Sequence, residues 1–425
     1  MGCPRKLPGL DPETKADPYG YLARMRADEP VYRDDEYGAF VLTRYDDVVF
    51  AERHPELFSS LPAGIGPFEL PGYTATEAAI LANEIIGTQP RTLLNNDPPL
   101  HAPYRKLISK LMSRRRIDGH EPQIRAAAHQ LLDRVDGLEF NLADAYTRAL
   151  PVTTICRELS LPVGFEAQFL GWAEAQKQAF GNPVVVGALV GMAREGKLPN
   201  PVADHFTVRI AELRQAPQDD LLSALVHEPL EDGSADGRLL TDDELLSLIA
   251  HFLVAGHDTT TATMNNVLLA LMRDEELFAR VRADLSLLPA LIEEALRHDC
   301  PVQGLYRSTI EDVKVGETLI PKDSMVLLSY AAANRDPAHF PGPDTFDPLR
   351  ENAGAHVAFG AGAHFCVGAY LARLQARIGL EVAVTRLAGL RLEPADQDFH
   401  RISSVILRGV ESLRVAVDQV HPAGR

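Results

Sequence analysis

One stretch near the C-terminal end of the chain constrains its fold and chemistry more than any other. It runs Phe-Gly-Ala-Gly-Ala-His-Phe-Cys-Val-Gly from Phe359 to Gly368, and an apolar pattern with helical spacing follows it. Gly360 and Gly362 suit a tight turn, or a close approach of the backbone to a flat group. Cys366 lies where the loop gives way to a helix, so we expect backbone N–H groups and the helix dipole to lower the pKa of its thiol. A thiolate beside a flat, glycine-lined space can serve an iron porphyrin as an axial ligand.

A lone cysteine in an arbitrary sequence is more often a small buried hydrophobic residue than a ligand. Here the surrounding pattern, Phe-Gly-x-Gly-x-His-x-Cys-x-Gly followed by Leu-Ala-Arg, fixes many positions at once. It resembles the heme-binding loop of the cytochrome P450 family, and every fixed position is matched. The resemblance implies that Cys366 is the axial ligand of the heme iron, and that Phe359, Gly360, His364 and Gly368 bind the same cofactor. The cofactor so implied is heme b (iron protoporphyrin IX), with dioxygen as co-substrate.

The chain of 425 residues is longer than a usual single domain, yet nothing in it marks a domain boundary. It has no long Gly/Ser linker, charge block or internal repeat. Its hydrophobic content of 46% and charged content of 24% are ordinary for a globular protein. The resemblance spans nearly the whole chain and implies one domain, residues 1–425, with the cytochrome P450 fold. That fold is mainly α with a smaller β-rich part, and its long central helix lies over the heme.

The charge balance excludes several classes of partner. Lys and Arg number 42 against 59 Asp and Glu, which gives a formal net charge of −17. Such an acidic surface argues against nucleic acid and anionic lipid as partners. We also expect no membrane span, because the uncharged run over residues 352–372 carries four glycines and two histidines.

Cysteine usage indicates the compartment. Cys3, Cys156, Cys300 and Cys366 are widely scattered and form no Cys-x-x-Cys pair. A reducing cytoplasm is therefore expected, rather than a disulfide framework or a structural zinc site. The first ten residues contain no apolar signal-peptide region. Within the resembled family, these features are typical of the soluble bacterial type.

Two basic side chains follow a helix-start signal. The sequence Asp-Pro-Pro at residues 97–99 predicts the start of a helix. His101 and Arg105 then lie at i and i+4 on one face, where together they can hold a carboxylate. Exposed pairs of this kind are common, so the pair alone indicates little. In the resembled family this helix binds a heme propionate, and Arg307 and His364 occupy the family's other propionate-binding positions.

A long helix is predicted from Thr241 to Met272. Thr241 and Glu244 form a capping box, and the apolar pattern continues for about 30 residues. Residues 245–256 are apolar nearly all round, which places this part in the protein interior. The motif Ala-Gly-His-Asp-Thr at residues 255–259 then puts a glycine and a carboxylate into the buried helix. Both are unfavourable there, so their combination indicates a function.

The same motif resembles the Ala-Gly-x-Asp/Glu-Thr signature of the cytochrome P450 family. A local opening of the helix at Ala255 and Gly256 would leave room for a diatomic ligand on the heme iron. Thr259 would hydrogen-bond the oxygen or a nearby water, and Asp258 would relay protons from solvent, which makes both residues candidates for catalysis. The alternative is that the Thr259 hydroxyl only donates to the carbonyl four residues earlier.

A further motif predicts support for the cysteine loop. Glu294 and Arg297 lie at i and i+3 on a predicted helix, which by helix chemistry alone is a surface ion pair worth a few tenths of a kcal/mol. By the resemblance, Glu294, Arg297 and Arg350 form a buried network that braces the cysteine loop. Their role would be structural support for cofactor insertion, without a part in catalysis.

Some regions are less clear from residue types. Residues 58–90 show no clean period and predict a long functional loop, which by the resemblance would cover the substrate pocket. Residues 181–191 suit either a helix or a pocket loop, and residues 302–305 are expected to border the pocket. Pro151 is expected to kink or break a helix predicted over residues 143–161.

Together these features predict a heme-thiolate monooxygenase that activates dioxygen and hydroxylates, or otherwise oxidises, a small, largely apolar organic substrate. No segment resembles a flavin or iron–sulfur reductase, so the electrons would come from a separate ferredoxin-type donor with its reductase. The alternatives are a peroxide-dependent or oxidative-coupling enzyme of the same fold and, from another class, a non-catalytic heme sensor. We expect a monomer. Residue types identify neither the substrate and its regiochemistry nor the native redox partner.

Overall fold

Helices make up most of the described chain and short strands form a smaller β-rich part, as expected from the sequence. The computed structural model describes residues 5–9, 11–67, 70, 72–85, 90–179, 183–195, 197, 200–234, 237–395, 399 and 404–423. The α-helices are α1 Pro12–Ala16, α2 Tyr19–Asp28, α3 Tyr45–Arg53, α4 Ala75–Ile85, α5 His101–Leu111, α6 Arg114–Asp118, α7 Glu121–Asp133, α8 Ala149–Glu158, α9 Glu166–Ala179, α10 Pro183–Arg194, α11 Pro201–Gln215, α12 Leu221–His227, α13 Asp242–Ala255, α14 Asp258–Arg273, α15 Glu275–Ala283, α16 Leu288–His298, α17 Tyr330–Ala333 and α18 Ala369–Arg386.

Twelve short strands form the β-rich part of the described chain. They are β1 Val31–Arg33, β2 Phe40–Leu42, β3 Phe58–Ser59, β4 Glu139–Asn141, β5 Gly304–Thr309, β6 Val313–Val315, β7 Thr318–Ile320, β8 Met325–Ser329, β9 Leu387–Ala388, β10 Arg391–Leu392, β11 Arg414–Ala416 and β12 Gln419–Val420. The largest sheet has five strands in the order β1-β2-β8-β5-β3. Within it β2 and β8 are parallel, and the other neighbours are antiparallel.

The two central strands of this sheet carry side chains into the interior. Nearly every residue of β5 and β8 is buried. Their register places Arg307 opposite Val326, so the guanidinium of Arg307 starts from a buried strand. β8 leads directly into Tyr330 at the start of α17. The sheet therefore delivers a buried arginine and a buried tyrosine close to the same region.

The predicted long helix is present as two helices with a break between them. α13 ends at Ala255 and α14 begins at Asp258. A Cβ on Gly256 would lie only 2.9 Å from Cγ1 of Ile155 on α8. The glycine is thus required at the break because α8 approaches the backbone there. Van der Waals space, more than conformational freedom, explains its presence.

The last long helix ties the cysteine loop to the rest of the core. α18 packs against α7, α14 and α16. At its crossing with α14, a Cβ on Gly379 would lie 2.7 Å from Sδ of Met264. This close approach fixes the start of α18, and hence the loop before it, relative to α14. Among the described residues, no helix combines the length and apolar composition needed to cross a bilayer.

Three expectations about local structure change. The break near residues 143–161 lies before Pro151, because a π-helical turn at Ala143–Thr147 precedes α8. Pro151 falls in the first turn of α8, where its missing N–H costs little. The region 58–90, expected to be an irregular loop, contains β3 and α4, and residues 181–191 fall largely in α10. Parts of both regions, residues 68–69, 71, 86–89 and 180–182, lie outside the described residues.

Glu244 connects the start of α13 with two other segments. It completes the predicted capping box, since its N–H donates to Oγ1 of Thr241 at 3.2 Å and its Oε2 accepts from the Thr241 N–H at 2.7 Å. Its carboxylate also accepts from the Tyr104 hydroxyl at 2.6 Å and from Arg238 at 2.6 and 2.7 Å. Burial alone would raise the pKa of Glu244, but these hydrogen bonds outweigh it and lower the pKa to about 2.

Glu244→Gln is expected to lower the free energy of unfolding by about 2 kcal/mol at pH 7, because the hydrogen bonds from Arg238 and Tyr104 lose their charge assistance, while a glutamine still completes the capping box. The depressed pKa of Glu244 makes this stabilisation fully present above about pH 4.5, and it is lost as the pH falls toward 2. Urea denaturation from pH 7 to pH 3 should therefore give a constant difference from wild type above pH 4.5 and a shrinking one below. The exposed neighbour Asp243→Asn, as control, should stay within about 0.5 kcal/mol of wild type. A difference for Glu244→Gln that did not shrink with acid would contradict this account.

Candidate active site

A cavity of about 930 Å³ lies between the break in the long helix and the cysteine loop. Most of the site residues predicted from the sequence line it, namely His101, Arg105, Ala255, Gly256, Thr259, Phe359, Gly360, His364, Cys366 and Gly368. These residues come from three segments that are far apart in the chain: α5, the α13–α14 break and the cysteine loop. Asp258 and Arg307 are not among the described residues that line the cavity.

Backbone contacts hold the cysteine loop in a tight turn. Gly360 and Gly362 have φ angles of +68° and +62°, in the left-handed region that favours glycine. A Cβ on Gly362 would also clash with the carbonyl oxygen of Glu52, because α3 packs directly against the loop. The Cys366 N–H donates to the Phe359 carbonyl at 2.8 Å and closes the turn. The tight turn expected at these glycines is therefore present.

The protein groups around Cys366 do not lower the pKa of its thiol. Burial raises that pKa, and the backbone N–H groups of Gly368 and Ala369, together with Arg105 and Arg373, oppose the rise only in part. The prediction that the loop by itself favours thiolate is thus wrong, because desolvation exceeds the attraction of the donors. A metal ion at the sulfur would supply the missing positive charge, since a coordinating thiol is deprotonated.

Basic side chains gather at one edge of the cavity. The rings of His101 and His364 lie 4.4 Å apart between centroids, and Arg105 donates to the carbonyl of Phe365. Burial, followed by repulsion from Arg105, lowers the pKa of His101 to about 4. Burial, followed by repulsion from Arg307, His101 and Arg105, lowers the pKa of His364 to about 2. Both imidazoles are therefore neutral near pH 7.

This edge of the cavity fits an anionic ligand. Nε2 of His364 is buried and has no hydrogen-bond partner among the described residues, which is an unfavourable state for a polar atom. A carboxylate placed there would accept from His364, His101 and Arg105 and would offset the positive charge of Arg105. The glycine-lined space beside Cys366 is open to a flat group. The residues present therefore fit a heme, with its propionates at the basic edge and its iron at the thiol.

Arg307 lies beside this cluster, but a protein carboxylate already contacts its guanidinium. Nη2 of Arg307 is 3.1 and 3.2 Å from the two carboxylate oxygens of Glu52, and the Tyr330 hydroxyl donates to the same carboxylate. All three residues are buried. Burial would lower the pKa of Arg307, but Glu52 and Tyr330 outweigh it and raise that pKa. Sequence reasoning missed Glu52, because nothing in its own segment indicates a partner in β5.

The start of α14 contributes Thr259, Thr260 and Thr263 to the cavity lining, and Thr259 belongs to the predicted motif. Oγ1 of Thr259 donates to the carbonyl of Ala255 at 3.2 Å, which is the bond expected if Thr259 has only a structural role. A hydroxyl that donates one hydrogen bond can still accept another, so this bond does not exclude a second role. Asp258 lies outside the cavity lining, with its side chain 14% exposed and Oδ1 3.4 Å from Nε2 of His257.

The structure brings Glu294, Arg297 and Arg350 together in one network. Nε and Nη2 of Arg297 donate to the two oxygens of Glu294 at 2.7 Å each, and Nε of Arg350 donates to Glu294 at 3.3 Å. Arg297 also donates to the carbonyls of Asn334 and Pro343. The side chains of Glu294 and Arg297 are 0% exposed, so the interpretation as a weak surface ion pair is wrong.

A second network, which sequence reasoning missed, joins α16 to α18. Arg373 donates to both oxygens of Glu293 at 2.7 and 2.8 Å, and its guanidinium lies over the Phe359 ring at 4.4 Å. Nε2 of His356 lies 3.3 Å from the same carboxylate. A signal was present in the sequence: Glu293 and Glu294 are consecutive on one helix, so their side chains point in different directions and need separate partners.

Comparisons with known proteins agree with this geometry. The Cytochrome P450 family model matches residues 197–397. The chain is 36% identical to Cytochrome P450 107B1 of Saccharopolyspora erythraea, over 96% of this chain and 97% of that protein. It is 33% identical to Cytochrome P450 monooxygenase PikC of Streptomyces venezuelae, over 99% of this chain and 95% of that protein. The structure of a mutant of P450 EryK in complex with erythromycin B superposes with a TM-score of 0.82 at 31% identity, covering 98% of this chain and 100% of that chain.

Removing the carboxylate of Glu52 should leave a buried positive charge on Arg307. We expect Glu52→Ala to lower the free energy of unfolding by about 3–5 kcal/mol, which is the usual cost of breaking a buried pair from one side. Urea denaturation at pH 7 measures it. The matched control is Glu231→Ala, whose carboxylate forms an exposed ion pair with Lys106 and should cost no more than about 1 kcal/mol. Equal losses in the two variants would mean that the Glu52–Arg307 contact does not stabilise the fold.

Proposed function

This chain belongs to the bacterial cytochrome P450 monooxygenases, and on that premise we propose that it oxidises a small, largely apolar organic molecule with dioxygen, by hydroxylation or a related oxygen insertion. The observation that carries the proposal is that two chemically active groups line one cavity. Cys366, in the cysteine loop, and Thr259, just after the break between α13 and α14, are both among the lining residues. A molecule bound between them is exposed to both.

Members of this family carry heme, and we propose heme b in this chain. When bound, the heme would bind and activate dioxygen with a cysteine thiolate as its axial ligand. Cys366 is the proposed ligand, and the cluster of His101, Arg105 and His364 is the proposed propionate site. The buried, partnerless Nε2 of His364 is the main support for the second assignment. Arg307 belongs to the same site through its proximity to His364, which lowers the pKa of that histidine.

The chain's own residues contribute to the chemistry by delivering protons to the reacting site and by excluding water from the rest of the cavity. A hydrogen bond to the Ala255 carbonyl holds the Thr259 hydroxyl at the cavity wall. Oγ1 of Thr259 transfers a proton when this hydrogen bond is exchanged for another. Asp258, partly exposed at the start of α14, takes protons from solvent and supplies them to Thr259. A carboxylate next to a hydroxyl suits proton relay, because the carboxylate exchanges protons with water and the hydroxyl reaches the reacting site.

The substrate class follows from the cavity lining. On the side of α13, apolar residues predominate, among them Leu93, Leu246, Val254, Val302, Leu305 and Leu407. Residues 302–305 were expected to border the pocket, and two of them do. An apolar cavity of about 930 Å³ has room for a sizeable organic molecule beyond the cofactor. The erythromycin B bound to P450 EryK is an example of such a molecule in a protein of the same fold.

Electrons are proposed to come from a ferredoxin-type donor with its reductase. Arg114 and Arg115 are exposed on α6, and the Arg114 guanidinium lies 5.1 Å from the centre of the Tyr370 ring. Tyr370 is in the first turn of α18, close to the cysteine loop. A basic surface at this position on a chain of net charge −17 supports the docking of an acidic redox protein. A single domain, a monomer and a cytoplasmic location remain predictions from the sequence.

The thiolate assignment predicts a spectrum. The reduced protein with carbon monoxide should show a strongly red-shifted Soret band, and Cys366→Ala should lose it while retaining the fold by circular dichroism. Cys156→Ala is the matched control, because desolvation raises the pKa of this thiol too, to about 12. That variant should keep the band. Retention of the band in Cys366→Ala would assign the ligand to another residue and remove the main support for the proposal.

The proton-relay assignment predicts uncoupling. Thr259→Ala should lower the product formed per NADPH by about tenfold or more and release the electrons as hydrogen peroxide, because the hydroxyl that would pass protons from Asp258 into the cavity is lost. The measurement is peroxide formed per NADPH consumed, with a ferredoxin, its reductase and any probe that shifts the heme spin state. Thr259→Ser should restore coupling. If wild type formed product faster with added peroxide than with NADPH, the assignment as a peroxide-dependent enzyme would replace the assignment as a monooxygenase.

A further inference from the structure

A polar cluster interrupts the apolar face that α13 turns toward the cavity. We infer that Ser247 and His251, backed by Thr92, form a subsite that hydrogen-bonds a neutral, oxygen-bearing group of the substrate, such as a hydroxyl, ketone or ester. The inference rests on the proposed function, because it names the class of molecule that the same cavity takes. The subsite would also determine which end of that molecule is oxidised.

The positions of the two residues on α13 direct them to the cavity. Ser247, His251 and Ala255 are spaced four residues apart on α13 and all line the cavity, so they form one row along this helix. At about 1.5 Å per residue, His251 lies about 6 Å and Ser247 about 12 Å from Ala255 along this row, and Thr259 lies beyond the break, on α14. The polar cluster is therefore at the end of the cavity remote from the reacting site.

A second segment of the chain holds both side chains. Thr92, in the connection between α4 and α5, is 0% exposed. Its Oγ1 lies 2.9 Å from Oγ of Ser247 and 3.4 Å from Nδ1 of His251. Contacts between residues so far apart in the chain indicate that the cluster is built by the tertiary structure. It orients one hydroxyl and one imidazole before any ligand arrives, which reduces the entropy lost on binding.

The cluster carries donors and acceptors without a charge. Burial lowers the pKa of His251 to about 4, so the imidazole is neutral near pH 7, and the two hydroxyls are neutral as well. An ionised group placed against it would lose its hydration without gaining a counter-charge. A neutral oxygen can accept from a hydroxyl or an imidazole N–H, and a hydroxyl can also donate. Asp243, one turn further out on α13, is exposed to solvent.

The polar side chains of Ser247 and His251 are surrounded by apolar residues of the cavity lining. Leu246, Ala250 and Val254 alternate with the polar pair along the same part of α13 and also line the cavity. Polar groups in an apolar cavity fix the orientation of a ligand, because each must find a partner to offset its desolvation. A substrate whose oxygen contacts Ser247 or His251 would point its other end toward Thr259. Oxidation is then expected toward the end of the molecule remote from that oxygen, because Ser247 and His251 precede the end of α13 by about two turns and one turn.

The experiment compares matched probes that differ in one oxygen. Heme-loaded wild type is titrated with androst-4-en-3-one and androst-4-ene, and with 1-dodecanol and n-dodecane, following the spin-state shift of the heme. In each pair the oxygenated member should bind about fivefold tighter or more, which is the effect of one net hydrogen bond. His251→Leu and Ser247→Ala should reduce this ratio toward one, and His251→Gln should restore part of it. Dodecanoate, which is ionised at pH 7.4, should bind more weakly than 1-dodecanol.

Two controls separate the possible failures. Val254→Ala changes the size of the cavity without its polarity, so it should weaken both members of a pair alike and leave their ratio unchanged. 4-Phenylimidazole binds through its nitrogen to the heme iron, so its affinity reports on an intact heme site in every variant. If 4-phenylimidazole did not bind even to wild type, that result would contradict the proposed function, on which this inference rests.

Several outcomes would overturn the inference while leaving the proposed function in place. They are an equal affinity for both members of each pair in wild type, a preference retained in both His251→Leu and Ser247→Ala, or tighter binding of dodecanoate than of 1-dodecanol. Failure of all four neutral probes to bind, with 4-phenylimidazole still bound, would also count against it. In the last two cases the cavity selects a different class of molecule. Product analysis of any probe that turns over should find oxygen inserted at the end remote from the existing oxygen.

Discussion

The site depends on one constraint: a thiol and a break in a helix must be held at the same cavity. Three contacts hold the thiol's loop, which are the hydrogen bond from Cys366 to Phe359, the pressure of Glu52 on Gly362 and the close crossing of α18 and α14 at Gly379. None of them is a strong interaction alone. Together they fix a glycine-rich loop, which would otherwise be mobile, at a defined distance from α14.

Buried ion pairs supply the rigidity that regular secondary structure does not give here. Three carboxylates, Glu52, Glu293 and Glu294, each contact at least one arginine around the cysteine loop. Such pairs contribute little net stability compared with apolar residues, but removing one partner leaves a charge in the interior at high cost. Each pair therefore acts as a constraint on position, because only one arrangement satisfies both charges and their neighbouring carbonyls.

The sequence predicted the elements that depend on local pattern. The capping box at Thr241, the break before Asp258 and the tight turn at Gly360 each follow from residues within a few positions of one another. The predictions that were wrong or incomplete depended on distant segments. Local donors suggested a lowered pKa for Cys366, but burial by the whole fold raises it. Arg307 was expected at a propionate-binding position, and Glu52, from 255 residues away, already contacts it.

The sequence by itself therefore determined the family and the mainly helical fold, because its cysteine-loop and Ala-Gly-x-Asp-Thr motifs resemble those of the cytochrome P450 family. It also determined many of the residues that line the cavity, because spacing within a loop or helix decides which side chains share a face. Only the tertiary structure decided which charges are buried, which partners they have and where polarity enters the cavity. Thr92 and His251 are 159 residues apart, and no periodic pattern links them. Their contact, and the neutral state that burial imposes on His251, exist only because folding removes both from water.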